Sequence, residues 1–396
     1  MNRARGTCAV RRALCLAATG ATIGATVAPW ARASDTMHEL PLDPDALARL
    51  QTAIDADIGA GRLPGAVLRI GQDGRAWQRA FGRKALVPAA ESLSEDTVYD
   101  LASLTKAMVT APVLLRLAEG GALDLESPVR RIVPAFTSGD AITVRQLLTH
   151  SSGLPASLPL DSNWRGADAA LALACASRAT HAPDSFFRYS DVNYILLGEI
   201  VQRIGGQALD ALADAWIFRP LGMADTGYRP LRRHAVERIA PTEIENGLPL
   251  RGAVHDPTAR RMGGVAGHAG IFGTVADVGR YAAMLLNGGT LDGAQVLKES
   301  SVARMTRNAN PSSVPARRGL GWDIDSPYSR PRGARFPIGS FGHTGFTGCV
   351  LWLNPGTRSY HVFLSNRVHP STRESIVALY EEVGTRVAQA LGVLPR

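Results

Sequence analysis

Segments with the pattern of β-strands lie near both ends of this 396-residue chain, while helical patterns dominate its middle. The apolar runs 66–70 and 75–81 are joined by a reverse-turn sequence, which predicts a hairpin. A second hairpin is predicted from the runs 349–353 and 360–365, which flank Asn-Pro-Gly. Strands at both ends with helices between them imply one sheet assembled from the two halves of the chain and covered by helices.

Helical spacing of apolar residues predicts most of the remaining elements. The predicted helices cover about 43–58, 103–119, 166–177, 191–204 and 371–391. Ser371 and Glu374 have the spacing of a capping box, which would begin the last helix. We therefore expect the sheet part of the fold at about 38–102 and 268–396, with a mainly helical lobe at about 103–267.

The N-terminal residues 1–33 have the composition of a secretory signal peptide. Arginines precede a modestly apolar run at 13–27, and a small-residue cleavage pattern at 31–33 would leave a mature chain of 34–396. An adjacent arginine pair leaves a twin-arginine export route open. We expect a periplasmic or secreted protein with no stable membrane span after the signal peptide is removed.

Charge and cysteine content argue against two classes of protein. The formal net charge is +8, but the predicted leader carries five arginines and no acidic residue, so its removal lowers the net charge to +3. No basic block with interleaved aromatic residues remains, which argues against nucleic acid as a partner. Only Cys175 and Cys349 lie beyond the leader, so a large core rather than a disulfide framework must hold the fold. We expect both thiols to be buried, inert and unbonded.

Lys106 is one of only three lysines among 43 basic residues, the others being Lys84 and Lys298. Arginine serves most surface and ion-pair purposes, but a desolvated lysine can lose a proton near neutrality. Ser103 lies three residues before Lys106, so both side chains share one helix face and can touch. Because a serine hydroxyl needs a neighbour to remove its proton, the pair indicates nucleophilic catalysis at a helix N-terminus.

Two further motifs extend this pair to an ordered pattern: Tyr-Ser-Asp at 189–191 and His-Thr-Gly at 343–345. With Ser-Leu-Thr-Lys at 103–106, the chain resembles the serine β-lactamase and penicillin-binding superfamily. The branch in question holds class C β-lactamases, DD-carboxypeptidases and family VIII carboxylesterases. Further similar segments are 147–155, 263–272 and 319–322. The resemblance implies an α/β (α+β) fold in which an antiparallel sheet lies beside an all-helical part, with the active site between them.

The resemblance also assigns catalytic roles residue by residue. Ser103 would be the acylated nucleophile and Lys106 its proton acceptor or relay. Tyr189 would pass the proton to the leaving group. The backbone N–H groups of Ser103 and Phe346 would form the oxyanion hole, in which each donor is worth about 3 to 4 kcal/mol.

The third motif is expected to line the substrate site. By resemblance, His343 and Thr344 face the substrate from an edge strand, and Gly345 leaves room for close backbone approach. Many β-lactamases have lysine in place of this histidine, whereas some DD-peptidases are similar in having histidine. A histidine titrates near about pH 6.5, so we expect binding of substrate carboxylates to fade as the pH rises through that region.

Asp191 departs from the family pattern, in which the tyrosine motif often ends in asparagine. A carboxylate near Lys106 would hold the amine protonated, so Tyr189 or His343 would carry more of the proton transfer. Alternatively, Asp191 caps the helix that follows it. Both interpretations stay open at this point.

No metal or other cofactor is predicted. The histidines at 150, 255, 361 and 369 show no metal-ligand spacing with cysteine or carboxylate residues. The glycine-rich segment 263–270 lacks the strand and Gly-Lys context of a phosphate loop, so close backbone packing is expected there. His268 within it is expected to be a hydrogen-bonded structural residue, and the arginines are expected to form solvated faces and scattered ion pairs.

We therefore expect an exported serine hydrolase that works through an acyl-enzyme on a small-molecule or peptidoglycan-derived substrate. A DD-carboxypeptidase acting on D-alanyl peptides is favoured because of His343, followed by a carboxylesterase and then a β-lactamase. A different class stays open, a penicillin-binding or cell-wall-binding protein without turnover, in which Asp191 interrupts the proton relay.

Overall fold

Two hairpins at opposite ends of the chain supply the longest β-strands of the computed structural model, which describes residues 39–139, 141–372 and 374–394. The predicted signal peptide at 1–33 lies outside these described residues. In chain order the strands are β1 (Gly65–Gln72), β2 (Arg75–Ala85), β3 (Glu91–Ser92), β4 (Tyr99–Asp100), β5 (Gly227–Tyr228), β6 (Ile244–Glu245), β7 (Leu248–Pro249), β8 (Ile271–Gly273), β9 (Thr290–Leu291), β10 (Ala294–Gln295), β11 (Arg317–Arg318), β12 (Asp323–Asp325), β13 (Phe341–Gly345), β14 (Cys349–Asn354) and β15 (Ser359–Ser365).

One sheet combines both ends of the chain, in the strand order β11-β12-β13-β14-β15-β1-β2-β3. Strand β1 pairs with β15 in an antiparallel register that runs from Ala66 opposite Ser365 to Gln72 opposite Ser359. The hairpins β1–β2 and β14–β15 extend the sheet on either side of this pair. The predicted fold, an antiparallel sheet assembled from both halves of the chain and flanked by helices, is confirmed.

The helices cover both faces of this sheet. In chain order the α-helices are α1 (Pro44–Gly59), α2 (Ala111–Glu119), α3 (Val129–Ile132), α4 (Val144–Leu148), α5 (Ala167–Ala176), α6 (Asp191–Gly205), α7 (Leu209–Ala213), α8 (Pro257–Arg261), α9 (Val275–Leu286), α10 (Glu299–Met305) and α11 (Val377–Ala390). Helices α1 and α11 pack together against one face, and α9 packs against the other. In β15, Val362 and Leu364 belong to one apolar core and Phe363 to the other, because side chains alternate across a strand.

Helices α2 to α8 lie in the sequence between the two groups of sheet strands. This is the region in which a helical lobe was expected, and the boundary of such a lobe stays a prediction. Within the described part of the chain, no helix has the length and apolar character needed to cross a membrane.

The last helix begins later than predicted. It starts at Val377 without a side-chain cap, so the predicted capping box of Ser371 and Glu374 is wrong. The backbone N–H of Thr372 instead donates to Glu243 Oε1 at 3.0 Å, and this bond holds the segment outside the helix.

Both cysteines beyond the predicted leader are buried and unbonded, as expected. Burial raises the pKa of the Cys349 thiol to about 12, which keeps it in the unreactive protonated form. The apolar core therefore holds this fold without a disulfide between Cys175 and Cys349.

Candidate active site

The turn that leads into Ser103 is fixed by the buried carboxylate of Asp100. Ala102, the residue before Ser103, has a φ of +45°, in the left-handed region that is strained for a non-glycine residue. Asp100 Oδ1 accepts the backbone N–H of Ala102 at 2.8 Å, and Oδ2 accepts that of His255 at 2.7 Å. These bonds hold the turn that presents Ser103 to a cleft.

Gly345 ends β13 beside this same segment. A Cβ atom at Gly345 would lie 2.7 Å from the carbonyl oxygen of Leu101, so only glycine allows the two backbones to come this close. Thr347 Oγ1 donates to the carbonyl oxygen of Asp100 at 2.7 Å and ties the same two segments together. The result places Phe346 on the wall of the cleft that Ser103 also lines.

Lys106 lies at the start of a π-helical turn, Lys106–Thr110, which precedes α2. Its side chain is wholly buried, and its Nζ donates to Ser103 Oγ at 3.0 Å and to the carbonyl oxygen of His268 at 3.0 Å. The contact predicted between Ser103 and Lys106 is therefore present. Burial opposes the charge on Lys106, but Asp191 and Tyr189 outweigh burial and raise the pKa of the ammonium group above its ordinary value.

Asp191 forms an ion pair with Lys106, with 2.8 Å between Oδ1 and Nζ. It is the first residue of α6, and the capping residue of that helix is Ser190, whose Oγ accepts the backbone N–H of Asn193 at 3.2 Å. The alternative in which Asp191 caps the helix is therefore wrong. Because Asp191 holds the proton on Lys106, the amine is charged in the resting protein.

Tyr189 lies between aromatic rings and two cations. Its ring centroid is 4.5 Å from that of His150 and 5.2 Å from that of Tyr328. The Nζ of Lys106 lies 4.9 Å from the ring centroid, and the guanidinium carbon of Arg318 lies 5.9 Å from it. Ser103 and Tyr189, predicted from two separate motifs, thus line one cleft, and Lys106 contacts Ser103 from behind it.

His343 lines the cleft from β13 and is only 3% exposed. Strand β13 pairs with both β12 and β14, so the expected edge strand is wrong. His343 Nδ1 donates to the carbonyl oxygen of Thr344 at 2.8 Å, and Nε2 has no partner among the described residues. Burial, together with the charges of Arg318 and Lys106, lowers the pKa of His343 well below its ordinary value. The expected titration near neutrality is therefore wrong, and a neutral His343 offers no charge to a substrate carboxylate.

Arg318 is one of the cleft residues that the sequence did not reveal, together with Asp256, Asp323 and Tyr328. Its side chain is 1% exposed, and Nη1 pairs with Asp323 Oδ1 at 3.1 Å. The Nε and Nη2 atoms have no partner among the described residues. Arg318 forms one of the ion pairs expected of the arginines, but it is buried in the cleft rather than solvated. The sequence feature that could have indicated Arg318 as a cleft residue is its position immediately before 319–322, a segment that is similar to the superfamily.

A buried histidine and its carboxylate partner support the opposite wall. His268 Nε2 lies 2.9 Å from Asp256 Oδ1, which confirms that His268 is a hydrogen-bonded structural residue. The carbonyl of the preceding residue, Gly267, accepts Thr110 Oγ1 at 2.7 Å. The glycine-rich segment therefore holds the helix that carries Lys106 through backbone contacts, as expected from its composition.

The complete cleft has a volume of about 320 Å³. Its lining residues are Ser103, Tyr189, Asp191, Asp256, Arg318, Asp323, Tyr328, His343, Thr344 and Phe346. A serine hydroxyl held by a buried amine, with a tyrosine beside both, is an arrangement for nucleophilic attack by serine on a carbonyl carbon. The fold and this cleft define a serine hydrolase.

The family follows from the sequence as a whole. A profile of the Beta-lactamase family matches residues 50–384, and the chain belongs to this family within the serine β-lactamase and penicillin-binding superfamily. A protein of Escherichia coli K12 named "Putative D-alanyl-D-alanine carboxypeptidase" is 31% identical over 331 residues, which cover 74% of this chain and 75% of that protein.

Solved structures support the fold. A penicillin-binding protein homologue from Caulobacter crescentus superposes with a TM-score of 0.71 at 21% identity, over 89% of this chain and 99% of that one. EstCE1, described as a hydrolase with promiscuous acyltransferase activity, superposes with a TM-score of 0.67 at 20% identity, over 86% of this chain and 98% of that one. At these identities the likeness concerns the fold alone.

Proposed function

We propose that this protein is an exported DD-carboxypeptidase that removes the terminal D-alanine from D-alanyl-D-alanine peptides in the periplasm or outside the cell. The observation that carries the proposal is the buried guanidinium of Arg318 in the cleft wall, whose Nε and Nη2 have no hydrogen-bond partner among the described residues. A leaving group that ends in a carboxylate supplies the acceptor that these donors need. The carboxypeptidase name of the E. coli relative supports the same substrate class.

In the proposed acylation step, Ser103 Oγ attacks the carbonyl carbon of the scissile peptide bond. Lys106 is an ammonium group and has only protons to donate, so Ser103 Oγ is the acceptor in their 3.0 Å contact. The hydroxyl proton of Ser103 is therefore directed away from Lys106. We assign its acceptance to the phenolic oxygen of Tyr189, which passes its own proton to the amine of the leaving D-alanine as it takes up the proton of Ser103, so the phenol is neutral before and after the step.

The negative charge that develops on the carbonyl oxygen needs donors at the Ser103 end of the cleft. The backbone N–H groups of Ser103 and Phe346 are assigned this role, each worth about 3 to 4 kcal/mol. Support comes from the contact of Gly345 with Leu101, which brings the segment bearing Phe346 against the segment bearing Ser103.

The test is release of D-alanine from a diacetylated lysyl-D-alanyl-D-alanine tripeptide, followed by an amino-acid assay. The wild-type protein is expected to release D-alanine, and Ser103→Ala is expected to release none. Intact-mass spectrometry after incubation with a penicillin should show an adduct on the wild type alone. Release that is undiminished in Ser103→Ala would overturn the assignment.

Hydrolysis of carboxylic esters is a second candidate, favoured by exposed aromatic surface at the cleft. Phe346 is 55% exposed and Tyr328 is 43% exposed, and both line the cleft. Such surface binds an uncharged acyl or alcohol group. Turnover of short-chain nitrophenyl esters without D-alanine release would favour this function over the carboxypeptidase.

A further inference from the structure

Asp256 presents an uncommitted carboxylate oxygen to the cleft. Its Oδ1 accepts the backbone N–H of Ala259 at 2.7 Å and lies 2.9 Å from His268 Nε2. The hydrogen bonds and the ion pair of Asp256 within the part of the chain that the structure describes are all made by Oδ1, not Oδ2, and the side chain is 27% exposed. Since Asp256 lines the cleft, this oxygen is available to a bound molecule.

The charge on Asp256 is permanent at working pH. Burial opposes ionisation, but His268, the N–H of Ala259 and Lys106 outweigh it and lower the pKa of Asp256 well below its usual range. Glu243, the acidic partner of the neighbouring His255, is already paired with it, at 3.0 Å between Oε2 and Nε2. Asp256 is thus an ionised carboxylate with one free oxygen.

A contact of the residue before Asp256 places this segment on the wall that carries Phe346. The ring of His255, the residue before Asp256, stacks on the ring of Phe346 at a centroid distance of 5.6 Å. Arg318 belongs to a different wall, where its guanidinium lies over the ring of Tyr189. If Phe346 contributes to the oxyanion hole and Tyr189 protonates the leaving group, the acyl part of a substrate lies toward Asp256 and the leaving group toward Arg318.

We propose that the cleft selects substrates with an ammonium group on the acyl side of the scissile bond, bound by Oδ2 of Asp256. This inference rests on the proposed function, because that function sets which wall receives the acyl part. In D-alanyl peptides the ammonium group comes from one of two sources. It is the α-amine of the residue whose carbonyl is attacked, or the side-chain amine of a diamino acid one residue earlier.

The experiment measures binding by calorimetry in the Ser103→Ala background, in which binding is independent of turnover. One ligand pair is D-alanyl-D-alanine and its N-acetyl form, and the other is Nα-acetyl-lysyl-D-alanyl-D-alanine and its Nα,Nε-diacetyl form. In at least one pair the free amine is expected to bind about 10-fold or more tightly than the acetylated ligand, the size of a charge-assisted hydrogen bond. The pair that shows the difference identifies which amine is recognised.

Adding Asp256→Asn should abolish this preference and leave binding of the acetylated ligands unchanged. The asparagine keeps an oxygen for the N–H of Ala259, so the thermal midpoint of the variant should stay near that of the Ser103→Ala parent. His268→Asn is the matched control, because it breaks the same pair but keeps the carboxylate, and the preference should persist. The preference should also shrink from low to high salt in the Asp256 parent, a measurement that does not depend on how the variant folds.

Equal affinity within both ligand pairs, or a preference that survives in Asp256→Asn, would overturn ammonium recognition by Asp256. Absence of binding by all four ligands would overturn it too. A preserved preference without D-alanine release by the wild-type protein would overturn the carboxypeptidase proposal alone.

Discussion

Lys106 and Asp191 form an ion pair of 2.8 Å at a position where the lysine side chain is wholly excluded from solvent. The carboxylate raises the pKa of Lys106 against the effect of burial. A lysine that keeps its proton is a donor to Ser103 and cannot act as the base in the same state. This pair therefore shifts the proposed proton transfer to Tyr189.

Asp191→Asn removes the charge that raises the pKa of Lys106, so this pKa should fall. If acylation uses Lys106 as an ammonium group, the alkaline limb of the kcat/KM profile should move to lower pH. The measurement is a pH series of nitrophenyl ester cleavage, corrected for uncatalysed hydrolysis, with Asp191→Glu as the charge-preserving control. If the alkaline limb does not move, acylation does not use Lys106 as an ammonium group. If only Asp191→Asn turns over the ester, Asp191 interrupts the proton relay, and the wild-type chain is a binding protein without turnover.

Tyr189→Phe should lower kcat by about 10²- to 10⁴-fold, the range for loss of a proton-transfer group. The phenyl ring keeps its packing against His150 and Tyr328, so the thermal midpoint should change little. Burst kinetics with an ester and a thermal melt would separate the two effects. Retention of the wild-type burst rate would remove Tyr189 from the mechanism.

Arg318→Lys should discriminate between the two candidate substrates. Lysine keeps the charge but loses the planar fork, so kcat/KM for a D-alanyl-D-alanine peptide should fall by about 10-fold or more. An uncharged nitrophenyl ester has no carboxylate for Arg318 to bind, so its kcat/KM should change much less. If kcat/KM falls equally for both substrates, Arg318 maintains the structure of the cleft and does not bind the substrate carboxylate.

The pH profiles of peptide and ester cleavage should be parallel between about pH 5.5 and 8. Arginine stays charged throughout this range, and the pKa of His343 lies well below its ordinary value. Carboxylate binding therefore has no titrating partner there, contrary to the expectation from the His-Thr-Gly motif. A ratio of the two kcat/KM values that falls as the pH passes 6.5 would restore His343 as the carboxylate site.

His361→Leu should reduce the acid sensitivity of folding. His361 is buried beside Phe336, its two ring nitrogens have no partner among the described residues, and burial lowers its pKa to about 3. The unfolded chain binds a proton that the folded chain excludes, so stability falls as the pH drops from about 6.5 toward 3. Between pH 7 and 4, His361 should lower the free energy of unfolding by about 3 kcal/mol. Urea unfolding of the wild type and of His361→Leu at both pH values would measure this difference. Identical pH dependence would contradict this account.

The sequence predicted those features that depend on local spacing. Ser103 and Lys106 are three residues apart on one helical stretch, and their 3.0 Å contact needs no information from the rest of the chain. The hairpins β1–β2 and β14–β15 were likewise visible as apolar runs on either side of turn residues. The order of the three motifs along the chain, at 103–106, 189–191 and 343–345, then matched that of the superfamily.

The features that escaped prediction depend on contacts between distant segments. Asp191 and Ser190 are both good capping residues, and only the approach of Lys106 from a remote helix decides which of them caps α6. The burial of Arg318 depends on the aromatic rings of Phe187 and Tyr189, more than a hundred residues earlier. The pKa of His343 depends on the same burial and the same cations.

The seclusion of Lys106 also determines how this protein reacts with reagents that target amines. Lys298 is exposed, whereas the Lys106 nitrogen is enclosed by its partners, so labels and coupling chemistries will modify Lys298 first. A dye or a solid support attached through that residue leaves the nitrogen beside Ser103 unmodified. Lys84, the remaining lysine, is ion-paired with Glu91 and its side chain is 13% exposed, so the scarcity of lysine directs amine attachment mainly to Lys298.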